Sequence, residues 1–193
     1  MGIPSSYCGE DYILDRFDEN HNQSQWNPAI VPIIRNSAMN RTNICLFSDI
    51  TGTAKTRLMI GWLLELRQHD TFVKKNPFGE SVGLEARDPV KYRFIDCRSN
   101  SIFNAGGYKS AEQVGKICHR ARAIVLDDIM QERQAAAQSY SEIINHCFSH
   151  GIPLAMTMNA TIDEFKERYD LSIYRRFIDN KGKFIDVNKM RGF

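Results

Sequence analysis

The strongest constraint on the fold lies between positions 43 and 67. A compact apolar run, Asn43-Ile-Cys-Leu-Phe47, suits a buried strand. After a short loop comes Lys55–Arg67, in which Leu58, Met59, Trp62, Leu63 and Leu66 share one broad helical face. A strand feeding a helix through a tight loop is the building unit of α/β proteins. The loop itself, Asp49-Ile50-Thr51-Gly52-Thr53-Ala54-Lys55-Thr56, follows the phosphate-binding pattern G-x-x-x-x-G-K-[ST] in its lysine, its hydroxyl and an internal glycine. Asp49 and Ala54 replace the two terminal glycines. Backbone N–H groups and the helix N-terminus suit phosphate oxygens, Lys55 supplies the β/γ-phosphate charge and Thr56 a hydroxyl for Mg²⁺. Asp49 is the awkward member: its carboxylate repels phosphate unless it turns away or helps to hold the metal.

The rest of the chain repeats the alternation. Tyr92–Ile95, Ala123–Leu126 and Pro153–Met158 read as further strands. Ser110–Arg120, Ala135–His150 (closed by Gly151) and Ile162–Tyr169 read as helices. The expected architecture is a three-layer αβα core of the P-loop kind around a mainly parallel sheet. Residues 1–40 read as an irregular lead-in with a short helix at Ala29–Ser37, where Pro32 is tolerated only in the first turn or at a kink. Residues 74–90, with Pro77, Gly79, Gly83 and Pro89, read as a loop insertion.

With 193 residues the chain is expected to form one domain over 1–193. No stretch approaches the roughly 20 apolar residues that cross a bilayer, and the N-terminus lacks a secretory signal, so a cytoplasmic protein without a membrane is expected. Cys8, Cys45, Cys97, Cys118 and Cys147 are scattered without a C-x-x-C pair, which fits buried thiols in a reducing compartment. A formal charge of +2 permits nucleic-acid contact without requiring it.

A second chemical motif stands downstream. Ala123-Ile-Val-Leu-Asp127-Asp128 is an apolar strand ending in two acids. In that arrangement the first acid, Asp127, serves the Mg²⁺ shell with Thr56, and the second, Asp128, is the general-base candidate for an attacking water. The 72 positions from Lys55 to Asp127 leave room for one more strand, Tyr92–Ile95. Leu154-Ala-Met-Thr-Met-Asn159 is a strand ending in an amide.

In this order, the loop, the acid pair, the strand ending at Asn159, Ser172-Ile-Tyr-Arg175-Arg176-Phe177 and Lys189-Met-Arg191-Gly192 resemble the motifs of AAA+ ATPases. The Gly52-Thr-Ala-Lys-Thr56 ending is similar to that of the MCM and MoxR kinds. More narrowly, the chain resembles bacterial helicase loaders of the DnaC type and the related IstB transposition ATPases, over almost its whole length. Ile3-Pro4-Ser-Ser-Tyr7 with Phe17, Phe94-Ile-Asp-Cys-Arg98 and the closing Arg191-Gly192 are similar to segments of that family.

The resemblance implies ATP and Mg²⁺ as cofactors, and a core with little or no C-terminal lid. It makes Asn159 the amide that orients water, Arg176 (with Arg175 as fallback) the arginine reaching a neighbour's γ-phosphate, and Arg191 a further nucleotide-contacting arginine. Arg57 joins the nucleotide-binding set beside Thr56. Implied partners are further copies in a head-to-tail oligomer, a replicative helicase or a transposase, and single-stranded DNA. Lys109, Lys116, Arg120 and Arg122 would contact the DNA, and Phe103 and Tyr108 would stack on bases. The chain leaves no space for a loader's usual helicase-gripping region, which implies a minimal phage- or mobile-element-type version, in the host cytoplasm, or a different partner surface. The alternatives are an IstB-like transposition helper, a viral superfamily-3 helicase domain, or a nucleotide-dependent binding module with little hydrolysis.

Overall fold

The computed structural model describes residues 14, 29–50, 53–70, 72–75, 81–85, 91–98, 108–132 and 134–188. The elements run α1 (Ile30–Met39), β1 (Ile44–Phe47), α2 (Lys55–His69), β2 (Phe72–Lys75), β3 (Ser81–Glu85), β4 (Tyr92–Asp96) and α3 (Tyr108–Cys118). They continue as β5 (Ala123–Ile129), α4 (Gln134–His150), β6 (Leu154–Met158), α5 (Ile162–Tyr169), α6 (Leu171–Asp179) and β7 (Lys183–Asp186). Five strands form one sheet in the order β4-β5-β6-β1-β7, parallel throughout. The α/β, mainly parallel expectation is met.

Period-two alternation builds the three layers. Ile44, Leu46, Ala123, Val125, Ala155 and Ile185 pack with α1 and α2 in one cluster. Cys45, Ile124, Leu126, Leu154 and Met156 join the residues of α3 to α6 on the opposite face. Strands covered on both faces must be apolar at nearly every position, which is why β1, β5 and β6 read as continuous runs. Trp62 is fully buried and donates from Nε1 to Ser37 Oγ at 3.2 Å, so that α1 and α2 are joined by a polar bond inside an apolar layer. Pro32 is the third residue of α1 and falls in its first turn, where no intrahelical donor is needed.

Three expectations change. Residues 74–90 are not simply a loop: β2 and β3 form an antiparallel hairpin across this region, pairing Val73 with Leu84. Asp127 and Asp128 do not follow a strand that stops at Leu126. β5 runs on to Ile129, and its pairing with β6 shifts between Leu126 and Ile129 as Asp128 takes a left-handed φ of 53°.

The third change is α6 and β7, which the alternation did not reveal. Only Phe184 and Ile185 are apolar in Lys183-Phe-Ile-Asp186, too little for a periodic signal, yet β1 pairs with it in parallel. Gly182 makes the turn from α6 into β7 possible, because a Cβ there would come within 2.4 Å of the Phe177 ring and 2.5 Å of its carbonyl. Cys45, Cys97, Cys118 and Cys147 are buried free thiols, as expected. Cys8, Phe103 and the lead-in Ile3, Pro4, Tyr7 and Phe17 lie outside the described residues, as do the side chains of Tyr108 and Lys109. Among the described residues no helix is long and apolar enough to cross a membrane.

Candidate functional site

The carboxyl ends of β1, β6 and β5 stand side by side at the centre of the sheet. In open parallel sheets this edge is where ligands are held, at the point where the strand order reverses. The candidate residues from three separate parts of the sequence converge there.

The loop after β1 enters α2 through Ala54, whose φ of 58° and ψ of 16° lie in the left-handed region. The phosphate-binding pattern has glycine at this position, and the conformation shows why: a Cβ there costs about 1 kcal/mol. Lys55 follows as the first residue of α2. It is only 6% exposed, and its Nζ donates to Ile50 O at 3.2 Å and Thr53 Oγ1 at 3.0 Å. Burial pulls its ammonium below the ordinary lysine range, against the opposing charges of Asp128, Asp127 and Asp49.

Thr56 Oγ1 donates to Asp127 Oδ2 at 3.0 Å, and Thr157 Oγ1 donates to Asp127 Oδ1 at 2.6 Å. Asp127 is therefore a buried carboxylate between two hydroxyls. Burial pushes its pKa up to about 6; the Thr157 hydroxyl opposes this, the charge of Asp128 adds to it, and Thr56 opposes it. Thr157 is fixed as well, since its oxygen accepts from the Asp128 N–H at 2.8 Å.

Asp128 has both carboxylate oxygens engaged. Asn159 Nδ2 donates to Oδ1 at 2.9 Å, and Arg98 Nε stands 3.1 Å from Oδ2. Asn159 Oδ1 is buried and has no hydrogen-bond partner among the described residues. Behind Asp128 the chain is anchored by Glu132, whose carboxylate accepts from the Met130 N–H at 2.6 Å, Arg168 Nε at 2.6 Å and Tyr169 Oη at 2.7 Å. That buried carboxylate ties the turn after β5, with Met130 at a φ of 88°, to α5.

Asp49 turns to the side. It is exposed, and its Oδ1 accepts from Asn188 Nδ2, beyond the end of β7. Asn188 Oδ1 in turn accepts from Ser48 Oγ at 2.7 Å.

The structure thus brings Lys55, Thr56, Asp127, Asp128 and Asn159 into one cluster, with Ile50, Thr53 and Ala54 at its edge. Arg57 is half-buried in the first turn of α2. Arg175 and Arg176 are exposed on α6, and Arg176 Nη1 donates to Asn145 Oδ1 at 2.8 Å rather than to the cluster. Lys116, Arg120 and Arg122 are exposed, with Lys116 paired to Glu112 at 2.6 Å. Thr51, Gly52 and Arg191 lie outside the described residues.

Sequence reasoning missed Arg98, Thr157, Glu132 and Asn188 as parts of this arrangement. Thr157 carried a signal, as a hydroxyl two residues before Asn159 inside an otherwise apolar strand. Asn188 carried none, because it follows a strand that the pattern did not reveal.

The donor set fits a nucleoside triphosphate and Mg²⁺. Among the described residues the buried Lys55 ammonium is hydrogen-bonded to neutral oxygens, which an anion matches, and a hydroxyl beside a carboxylate is the ligand chemistry that Mg²⁺ takes.

No family model matches this chain, and no curated protein matches it. Solved structures do match. One is the DnaC helicase loader, with a TM-score of 0.63 and 14% identity over 95% of this chain and 99% of that one. Another is DnaI, with a TM-score of 0.55 and 12% identity over 91% and 90%. A third is AMPPCP-bound DnaA from Aquifex aeolicus, with a TM-score of 0.57 and 13% identity over 92% of this chain and 50% of that one. The strand order, the position of the loop and these likenesses agree: the chain shares the fold of the DnaC helicase loader structure.

Proposed function

We propose that this chain is an AAA+ ATPase of DNA replication, one domain over 1–193, that binds ATP and Mg²⁺ at the edge of its sheet and acts as a helicase-loader-like protein. The observation that carries the reading is the buried Lys55 ammonium, which among the described residues is bonded to Ile50 O and Thr53 Oγ1 and feels the charges of the Asp128 and Asp127 carboxylates. Lys55, with the N-terminus of α2, would hold the phosphates. Thr56 and Asp127 would hold the metal. Bound there with Mg²⁺, ATP supplies a γ-phosphoryl group open to attack by water.

Asp128 would take the proton of that water, and Asn159, bonded to the same carboxylate, would fix its direction. Arg176, with Arg175 beside it, lies exposed on α6 outside this cluster, which suits delivery to a neighbouring subunit's phosphates. Hydrolysis at subunit interfaces of a head-to-tail oligomer on single-stranded DNA follows from that assignment. ATP turnover measured against protein concentration, with and without single-stranded DNA, tests it. Specific activity should rise with concentration, and Arg176→Ala mixed with Asp128→Asn should recover turnover that neither has alone. Rapid turnover independent of concentration contradicts the interface site.

One observation favours a second reading, a nucleotide-dependent binding module with little hydrolysis. The base candidate Asp128 is already held by Arg98 and Asn159. Tight ATP binding without turnover at any concentration or with DNA selects that reading.

A further inference from the structure

The loop carries a carboxylate where the phosphate-binding pattern has glycine, and the surrounding residues deal with it in a specific way. Asp49 follows Ser48 at the end of β1, on the loop that leads to Lys55, close enough for its charge to act on the Lys55 ammonium. Left free, that carboxylate has two unfavourable options. It can pair with the lysine and compete with phosphate, or face the phosphates and repel them.

A single side chain opposes both. Asn188 donates from Nδ2 to Asp49 Oδ1 and accepts at Oδ1 from the fully buried Ser48 hydroxyl at 2.7 Å. Ser48 Oγ also accepts from the Ile50 N–H at 2.9 Å. Asn188 is itself placed by the strand before it. Its N–H donates to Asp186 Oδ1 at 3.0 Å, and the preceding Val187 N–H donates to Phe47 O at 3.0 Å, so the chain leaving β7 runs alongside the end of β1. The carboxamide offers a donor to the carboxylate and an acceptor to the hydroxyl at once. A carboxylate here offers no donor and adds a like charge.

We propose that Asn188 is a positioning residue that holds the Asp49 carboxylate aside from the phosphate site, so that the loop binds a nucleoside triphosphate despite lacking its first glycine. The inference rests on the nucleotide-site reading above and adds to it a residue from the far end of the chain. It makes Asp49 and Asn188 an energetically coupled pair: the amide is needed only because the carboxylate is there.

Equilibrium binding of N-methylanthraniloyl-ATP with Mg²⁺, followed by fluorescence anisotropy at low ionic strength, tests this without reference to turnover. Asn188→Asp should weaken binding about tenfold or more, Asn188→Ala less so, and both losses should shrink in high salt because they arise from charge. In the Asp49→Asn background, Asn188→Asp and Asn188→Ala should bind within about twofold of Asp49→Asn alone. Asp49→Asn and Asp49→Gly serve also as the folded reference, with thermal melts monitored for every variant. Equal affinities for wild type and both Asn188 variants overturn the inference, as does a loss that Asp49→Asn leaves in place. Failure of the underlying reading looks different: wild type then shows no binding, or binding that Lys55→Ala does not weaken.

Discussion

Arg98 Nε stands 3.1 Å from Asp128 Oδ2, while Asn159 Nδ2 holds the other oxygen of the same carboxylate at 2.9 Å. The guanidinium thus occupies the one carboxylate oxygen that Asn159 leaves, so neither oxygen is open to an attacking water. Arg98 is 58% exposed at its side chain, so removing it costs the fold little. Under the assignment of Asp128 as base, Arg98→Ala should raise ATP turnover at saturating nucleotide by about tenfold, with melting temperature nearly unchanged. Steady-state turnover measures this, and a fall in turnover counts against the assignment.

Ala54 occupies the left-handed conformation that the phosphate-binding pattern reserves for glycine. Ala54→Gly removes the Cβ conflict, although it also frees the unfolded chain. The net expectation is a gain of roughly 0.5 kcal/mol in unfolding free energy, read by urea denaturation. A loss of stability would mean that the αL geometry is not what limits this position.

Glu132 presents a different kind of dependence. Its side chain is 1% exposed and bonded to Arg168 at 2.6 Å. Arg168→Met leaves a buried carboxylate with neutral donors only, and about 3–5 kcal/mol of destabilisation follows. Adding Glu132→Gln should recover a large part of that loss, since the amide oxygen still accepts from the Met130 N–H while its NH2 donates to the Tyr169 hydroxyl oxygen. Thermal or urea unfolding of the single and double variants gives the answer. Additive losses would show that the charge is not the cause.

The layers of the fold were legible because strands buried on both faces must be apolar, and β1, β5 and β6 are. Asp127, Asp128 and Asn159 were legible for a related reason, since each sits where such a run stops, and Lys55 and Thr56 because they open the helix after the loop that follows β1. What escaped was set by pairing rather than by pattern. β7 has two apolar residues and is specified by its register on β1 and by the glycine turn before it. Asn188 inherits its place from β7, so it was equally hidden. Arg98 and Asp128 are 30 positions apart in sequence and meet only because β4 and β5 are neighbours. Residues 74–90 read as a loop because their glycines, prolines and lysines outweigh a few β-forming residues, and only the antiparallel pairing of β2 with β3 makes strands there.

Burial raises the Asp127 pKa from 3.8 to about 6 in the folded protein. In the metal-free state its contribution to stability is therefore fully present below pH 3.8 and is lost as pH rises through about 6. The amplitude is on the order of 3 kcal/mol. In chelator, the stability of wild type minus that of Asp127→Asn should fall between about pH 4 and 6, the window that this shift defines. A difference that is flat, or that rises with pH, contradicts a buried, protonatable Asp127.

Under the proposed function the buried Lys55 ammonium receives a nucleotide phosphate. Titration calorimetry of ATP·Mg²⁺ into wild type and Lys55→Ala tests it most directly. Wild type should bind saturably and Lys55→Ala at least about 100-fold more weakly, since an ammonium–phosphate contact in a sheltered site is worth several kcal/mol. Equal binding by the two proteins, or no heat from wild type at any concentration, would contradict it.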